Sequence, residues 1–195
     1  MTIARTESEY LISSNKEKCK KLLETKSLSE EELMDFFVSL HLVMEISLNA
    51  FFRNLSLMQI QKSVNKLEIA KNIDSINFID KTILFVYNYS YDFSGDLSAA
   101  DQYHSIINKL KDFSSVRNKL LHGHSISTLY CESGEQQSDA KKMLTDKKLQ
   151  HQIKLFKDIF EGLRFYFDHV KSSLTPSGKE SFKKAYLDDS FLIIQ

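Results

Sequence analysis

Apolar side chains recur along this chain at helical intervals, and the pattern predicts helices nearly everywhere. A first, weakly amphipathic helix is expected over residues 6–25, with Tyr10, Leu11, Leu22 and Leu23 as its apolar points. The stretch "SLSEEELMDFFVSLHLVMEISLNAFFRNLSLM" then sets Ser29 three residues before Glu32, a capping-box spacing ahead of a long apolar run. Wrapped at about 100° per residue, its polar side chains Asp35, Ser39, Glu45, Asn49 and Arg53 share one narrow stripe. Glu45, Asn49 and Arg53 are successive i, i+4 neighbours and could form a hydrogen-bonded ladder. This should be the central helix.

A polar connector from Gln59 to Asp74 can carry some helix, and "SINFIDKTILFVYNY" gives a further core helix stopped by the turn-like "SYDFSGD". The next helix is expected from Ser98 to His122, with Ile106, Ile107, Leu110, Phe113, Leu120 and Leu121 on its buried side. "CESGEQQSDAKK" reads as a loop, and a last long helix is expected from Asp139 to Ser172, ended by "TPSG". The tail "KESFKKAYLDDSFLIIQ" reads as a short helix and an apolar end that either docks or pairs with a partner. The expectation is all-α: an antiparallel bundle of four to five helices over residues 1–175, with a short C-terminal extension over 176–195.

Composition agrees. One proline and five glycines leave few turn signals for a many-stranded fold. Lysine plus arginine equal aspartate plus glutamate at 26 each, so no global field draws the protein to nucleic acid or membrane, although a local basic cleft is compatible. Cys19 and Cys131 stand far apart without a metal-ligand spacing, which points to free thiols in a reducing compartment. No export signal is evident in the first 25 residues, and the longest aliphatic and aromatic run, Ile83 to Tyr87, is too short for a bilayer. A soluble, cytoplasmic protein is expected.

The candidate chemistry lies in "SSVRNKLLHGHSI", residues 114–126. On the helical wheel Arg117 falls about 20° from Ile106, inside the buried stripe rather than opposite it. A buried, unpaired charge is unfavourable by several kcal/mol, so Arg117 calls for a carboxylate, a wet cleft or a helix break before it. "DFSS" could supply the break, with Ser114 or Ser115 capping a new start. Asn118 and His122 share a face one turn apart, while His124 aligns with Arg117 only if the helix passes through Gly123.

These residues resemble the Arg-x4-6-His motif of the HEPN superfamily (higher eukaryotes and prokaryotes nucleotide-binding domains), with "RNKLLH" matching as Arg117, Asn118 and His122. "HLVMEISLNAFFRNL" is similar to the acidic, leucine-rich helix of these domains, and "FIDKTILFVYN" to the helix after it, so the likeness covers residues 30–170. The resemblance implies a metal-independent endoribonuclease without cofactor, acting on single-stranded RNA through an Arg/His site completed in a homodimer. Arg117, Asn118 and His122 would be catalytic, with Glu45 and His124 as possible support. A toxin or antiviral-defence role, with an antitoxin or defence-system partner, is also implied. The family's toxins often continue the motif as His-x-Tyr; His124 stands at that place, which puts control by tyrosine modification in doubt.

Other readings stand beside this one. "LLHGH" is also what a capped helix C-terminus looks like, since histidine suits the negative end of the dipole and glycine the left-handed cap. Arg117 could pair structurally with Glu45 or Asp112. A second match, "RFYFDH" at Arg164 to His169, lacks the polar residue after arginine and reads as incidental. "YNYSYDF" could stack bases but suits bundle packing. The lysine runs at 16–21 and 141–148 read as solvated faces, the second also as a guide for a phosphate backbone. A non-catalytic HEPN module that binds a partner or nucleotide, or an unrelated helical scaffold, would use the same bundle.

Overall fold

The computed structural model describes residues 7–59, 75–92, 97–122, 143–172 and 189–193. Helix α1 spans Glu7–Leu23, α2 Glu30–Gln59, α3 Phe78–Asp92, α4 Leu97–His122 and α5 Asp146–Ser172, and a 3-10 turn covers Ser190–Leu192. Among the described residues there is no strand. The expected all-α bundle is what forms. The expected connector helix, the loop over 131–142 and most of the C-terminal extension lie outside the described residues.

Local chemistry sets the helix starts. The Ser29 backbone N–H donates to Glu32 Oε2 at 2.8 Å, and the Glu32 N–H donates to Ser29 Oγ at 3.3 Å. These are the two reciprocal bonds of the capping box expected for α2. Asn77 caps α3 by accepting from the Asp80 N–H at 3.0 Å, and its amide also donates to the Asp80 carboxylate. Thr145 caps α5, accepting from the Lys148 N–H at 3.2 Å. That cap explains why α5 starts at Asp146 rather than Asp139. α3 in turn runs on through Asp92 instead of stopping at Tyr89.

Helix directions follow from cross-helix partners. Lys18 pairs with Asp35 across α1 and α2 at 2.7 Å, close to their six-residue connection, so these two are antiparallel. Asp112 meets His151 and Lys109 meets Asp158, at 3.0 and 3.3 Å, so α4 and α5 are antiparallel as well. α2 packs against each of the other four helices. Phe36, Leu40, Val43, Met44 and Leu48 are fully buried along it, as are Leu110, Phe113, Phe156, Ile159, Phe160 and Leu163 on α4 and α5. Residues Glu30–Phe52 of α2 are long and apolar enough to cross a membrane by length and composition. Asp35, Ser39 and Glu45 interrupt that stretch, so counting continuous apolar runs missed it. Here its apolar side chains are taken up by packing between helices.

α1 buries a different stripe from the expected one. Ile12 and Cys19 are in the interior and Leu22 and Leu23 lie against the core, whereas Tyr10 is 63% exposed and Leu11 is also exposed. Ile12 and Cys19 are two helical turns apart, and so set the inward face. Burial pushes the Cys19 thiol up to about 12, leaving it protonated and unreactive at neutral pH. The C-terminal end docks. Phe191 and Leu192 are part of the core, and Phe191 meets Phe156 edge-on at 5.6 Å. Arg164 bonds Asp189 at 2.7 Å, the Lys157 ammonium donates to the Leu192 carbonyl at 3.4 Å, and Lys16 lies over the Phe191 ring. Of the two possibilities for the tail, residues 189–193 take docking.

Candidate functional site

Three helices bring five polar side chains together. His41, Glu45 and Asn49 occupy successive turns of α2. Lys81 reaches them from the first turn of α3 and Arg117 from the last part of α4. Phe113 and Arg117 on α4 step in the same sense as His41 and Glu45 on α2, so the two helices run parallel here.

α4 is continuous through the suspected break. Ser115 Oγ donates back to the Asp112 carbonyl at 2.8 Å, as a serine inside a helix does, and Ser114 is buried. Neither starts a new helix. Arg117 therefore keeps the inward direction that the wheel gave it, and its charge bears on the Glu45 carboxyl. Glu45 is half-buried, and its carboxyl is held below the usual carboxylate range. The hydrogen bond from His41 contributes most to that lowering; burial opposes it, and the nearby charges of His41, Arg117 and Lys81 add to it. Arg117 is half-buried, and its Nη1 donates to Asn118 Oδ1 at 3.1 Å. Asn118 is exposed, so the guanidinium is held where the helix meets solvent.

The Glu45–Asn49 step of the expected ladder is not found among the described hydrogen bonds. Glu45 lies 3.5 Å from His41 Nε2, and Asn49 Oδ1 accepts from the Lys81 ammonium at 2.8 Å. The Arg53 side chain lies outside the described residues. The stripe is thus a seam between helices: Ser39 is buried and Asp35 pairs with Lys18 of α1.

His41 and Lys81 were not singled out from the sequence, yet both are nearly inaccessible, at 3% and 5% exposure. The His41 ring is parallel to Phe113 with centroids 5.8 Å apart and edge-on to Phe78 at 5.4 Å. A histidine and a carboxylate four residues apart inside an apolar helix were the available signal for His41; nothing local marks Lys81.

His122 is the last residue of α4, with its side chain outside the described residues, and His124 lies outside them altogether. The aromatic side chains of "YNYSYDF" and the lysines at 141–142 are outside them too. The second motif copy has a structural use, since Arg164 is the residue that ties down Asp189. Most of the first lysine run is engaged: Lys18 with Asp35, Lys21 with Glu17, Lys16 with Phe191. Among the described residues no three His, Cys, Asp or Glu side chains stand together to hold a metal ion. No family model, curated protein or solved structure matches the chain.

Proposed function

We propose that the chain is a metal-independent endoribonuclease of the HEPN type, with Arg117, Asn118 and His122 as its working residues. The observation that carries this reading is Arg117: inward on α4, half-buried and bonded to Asn118, with its charge bearing on the Glu45 carboxyl, five residues before the histidine that ends the helix. A guanidinium has five donors, so Asn118 can hold it by one while others meet a phosphate. His122 would move the proton of a ribose 2′-OH. The 2′-oxygen then attacks phosphorus, the bond to the 5′-oxygen breaks, and a 2′,3′-cyclic phosphate and a 5′-hydroxyl result. Arg117 would stabilise the charge that gathers on the phosphoryl oxygens, and Glu45 would support it from within the bundle. One histidine per chain provides one proton-transfer group, so two chains around one cleft would supply both the base and the acid. The reading therefore includes a homodimer joined near residues 114–124, single-stranded RNA as substrate, and a cytoplasmic toxin or antiviral-defence effector held by an antitoxin or defence-system partner.

The test is cleavage of single-stranded RNA in EDTA by rigorously purified protein. Arg117→Ala and His122→Ala should each lower the rate by about 10²–10⁴ without changing helix content or oligomeric state. His124→Ala should do less. Activity that survives both substitutions, or a protein that stays monomeric at tens of micromolar, sinks the composite site. The hydrogen bond of Arg117 to Asn118 and its half-buried place also favour a second reading, a non-catalytic HEPN module in which the arginine only braces the bundle. That reading wins if the wild type cuts no RNA while partner binding still needs this face.

A further inference from the structure

We propose that α1 and α5 form a recognition site for a short acidic–aromatic–aliphatic segment of a partner protein, and that residues 189–193 of the chain itself occupy this site as a tethered competitor. The proposal goes beyond the ribonuclease reading and does not depend on it.

The docked segment is a self-contained ligand. Its backbone closes on itself: the Leu192 N–H donates to the Asp189 carbonyl at 3.0 Å, and the Ile193 N–H to the Ser190 carbonyl at 3.3 Å. A turn made by bonds between residues three apart takes its shape from its own sequence, so the helices supply only side-chain contacts. Asp189, Phe191 and Leu192 receive those contacts, while Ser190 and Ile193 are exposed. The pattern presented to the helices is therefore acid, spacer, aromatic, aliphatic.

The receiving surface reads that pattern one residue at a time. On α5, Phe156, Phe160, Arg164 and Lys157 fall within about 100° of one another and so share one sector. Arg164 Nη2 donates to the Asp189 carboxylate at 2.7 Å, and the Lys157 ammonium donates to the Leu192 carbonyl at 3.4 Å. Arg164 holds the start of the segment and Lys157, two turns earlier, holds its end, so the segment runs antiparallel to α5. Phe156 meets the Phe191 ring edge-on at 5.6 Å, and Lys16 of α1 stands 5.4 Å over the same ring. Leucine at 191 would fill volume but offer no ring face to the ammonium. Leu192 is 2% exposed and fills the apolar end. Three cations around an acidic, apolar segment make the charges complementary.

Reach holds the segment here as much as affinity does. The Arg164–Asp189 pair is solvent-exposed on the arginine side, where an ion pair contributes little. Lys157 lies about 22 Å back along α5 from its end at Ser172, and residues 173–188 span up to about 50 Å when extended. Such a tether lets the segment reach the site and also leave it, at a local concentration on the order of millimolar. A partner segment with the same three side chains makes the same contacts, and any further contact beside the site lets it win.

The experiment uses the full-length chain and a fluorescent synthetic peptide with the sequence of Leu187–Ile193, LDDSFLI. Phe191→Ser combined with Leu192→Ser releases the tethered segment. Fluorescence anisotropy should show the peptide binding this released protein, and binding wild type at least about tenfold more weakly. That factor is expected when a tethered segment at about 1 mM competes with a peptide of about 100 μM affinity. A peptide carrying Phe191→Leu should bind the released protein about fivefold more weakly or worse, having lost the ring contacts. Charge reversal supplies the specific arm. Arg164→Asp in the released protein should weaken the peptide, and Asp189→Arg in the peptide should restore binding to that variant, which general damage to the fold would not allow. A released protein that keeps its helix content but binds no peptide overturns the proposal, as does equal binding to released and wild-type protein or a failure of the reversed charges to restore it. If the double serine variant does not fold, Asp189→Arg in the chain takes its place, since it sets like charges at Arg164 and keeps both apolar side chains; the same outcomes decide. Peptide that splits a wild-type dimer into monomers would mean that a second copy's segment is the occupant, and that too overturns the tethered competitor.

Discussion

Phe113 stands between two unlike clusters. On one side it meets Phe156, which packs on Phe160 at 4.3 Å and edge-on to Phe191 at 5.6 Å. On the other it stacks on His41, behind which lie Glu45, Asn49, Lys81 and Arg117. The aromatic side is held by contact area, which has no preferred direction and is insensitive to pH. The polar side is held by a few directed bonds, and its worth depends on every member being present. One phenyl ring belongs to both. This lets a rigid apolar core hold the plane of a polar side chain near the candidate site.

The largest effect should come from the aromatic side. Phe156 is fully buried and meets three other phenyl rings, so Phe156→Ala should destabilise by about 3–5 kcal/mol in urea unfolding. The matching deletion on the polar side is Asn49→Ala, which takes from Lys81 the acceptor at 2.8 Å and should cost about 1–3 kcal/mol. Equal losses from the two would erase the distinction between the clusters.

Acid separates them by the shape of the stability curve rather than its height. Glu45 is shifted down in the fold, chiefly by the His41 hydrogen bond. Its contribution is therefore fully present above the unfolded carboxyl value, about 4.3, and is lost as pH falls through the lower folded value. Glu32 in the capping box, lowered chiefly by the Ser29 backbone bond, acts with the same sign. Asp158 does as well: burial raises it, and the bonds from Lys154 and Lys109 outweigh that. Glu45→Gln should flatten the acid limb between roughly pH 5 and pH 3, while Phe156→Ala should lower the whole curve and keep its slope. An acid limb unaltered by Glu45→Gln would mean that the carboxylate is not engaged in solution.

How much of this was legible in the sequence follows the same division. The α2 cap was readable because Ser29 and Glu32 act over one helical turn. The buried face of α4 was readable because Ile106, Ile107, Leu110 and Phe113 repeat at the helical period. The inward direction of Arg117 came from the same period. What failed depended on partners far along the chain. The polar stripe of α2 was expected to bond within itself, whereas Asn49 is taken by Lys81, thirty-two residues beyond it on another helix. Tyr10 and Leu11 looked buried because α1 is only weakly amphipathic, so a small error in phase changes which residues face inward. A helix break at Ser114 or Ser115, one of three ways to accommodate Arg117, was suggested by capping chemistry, but packing of Phe113, Ser114 and Val116 keeps the helix intact. His41 was hidden because an isolated histidine in an apolar helix acquires meaning only from the rings around it.

The smallest effect tests how tightly the apolar side is packed. Gly162 faces α4, and a Cβ placed there would lie 2.7 Å from Ile106 Cγ1 and 2.9 Å from its Cδ1. Alanine in a helix is favoured over glycine by about 1 kcal/mol, so a loosely packed seam would gain stability from Gly162→Ala. Ile106 is buried, and a β-branched side chain in a helix has essentially one χ1 rotamer, so Cγ1 cannot step aside without moving the backbone. Overpacking of this kind costs about 1–3 kcal/mol, which exceeds the propensity gain. The net expectation is a loss of about 1 kcal/mol, read as a small fall in Tm. In an Ile106→Ala background, itself destabilised by the cavity it opens, Gly162→Ala should no longer lose stability, because removing the obstructing carbons leaves the helix preference of alanine unopposed. A Gly162→Ala protein more stable than wild type would show that α4 and α5 have room to part, and that the aromatic side yields more readily than the polar side it supports.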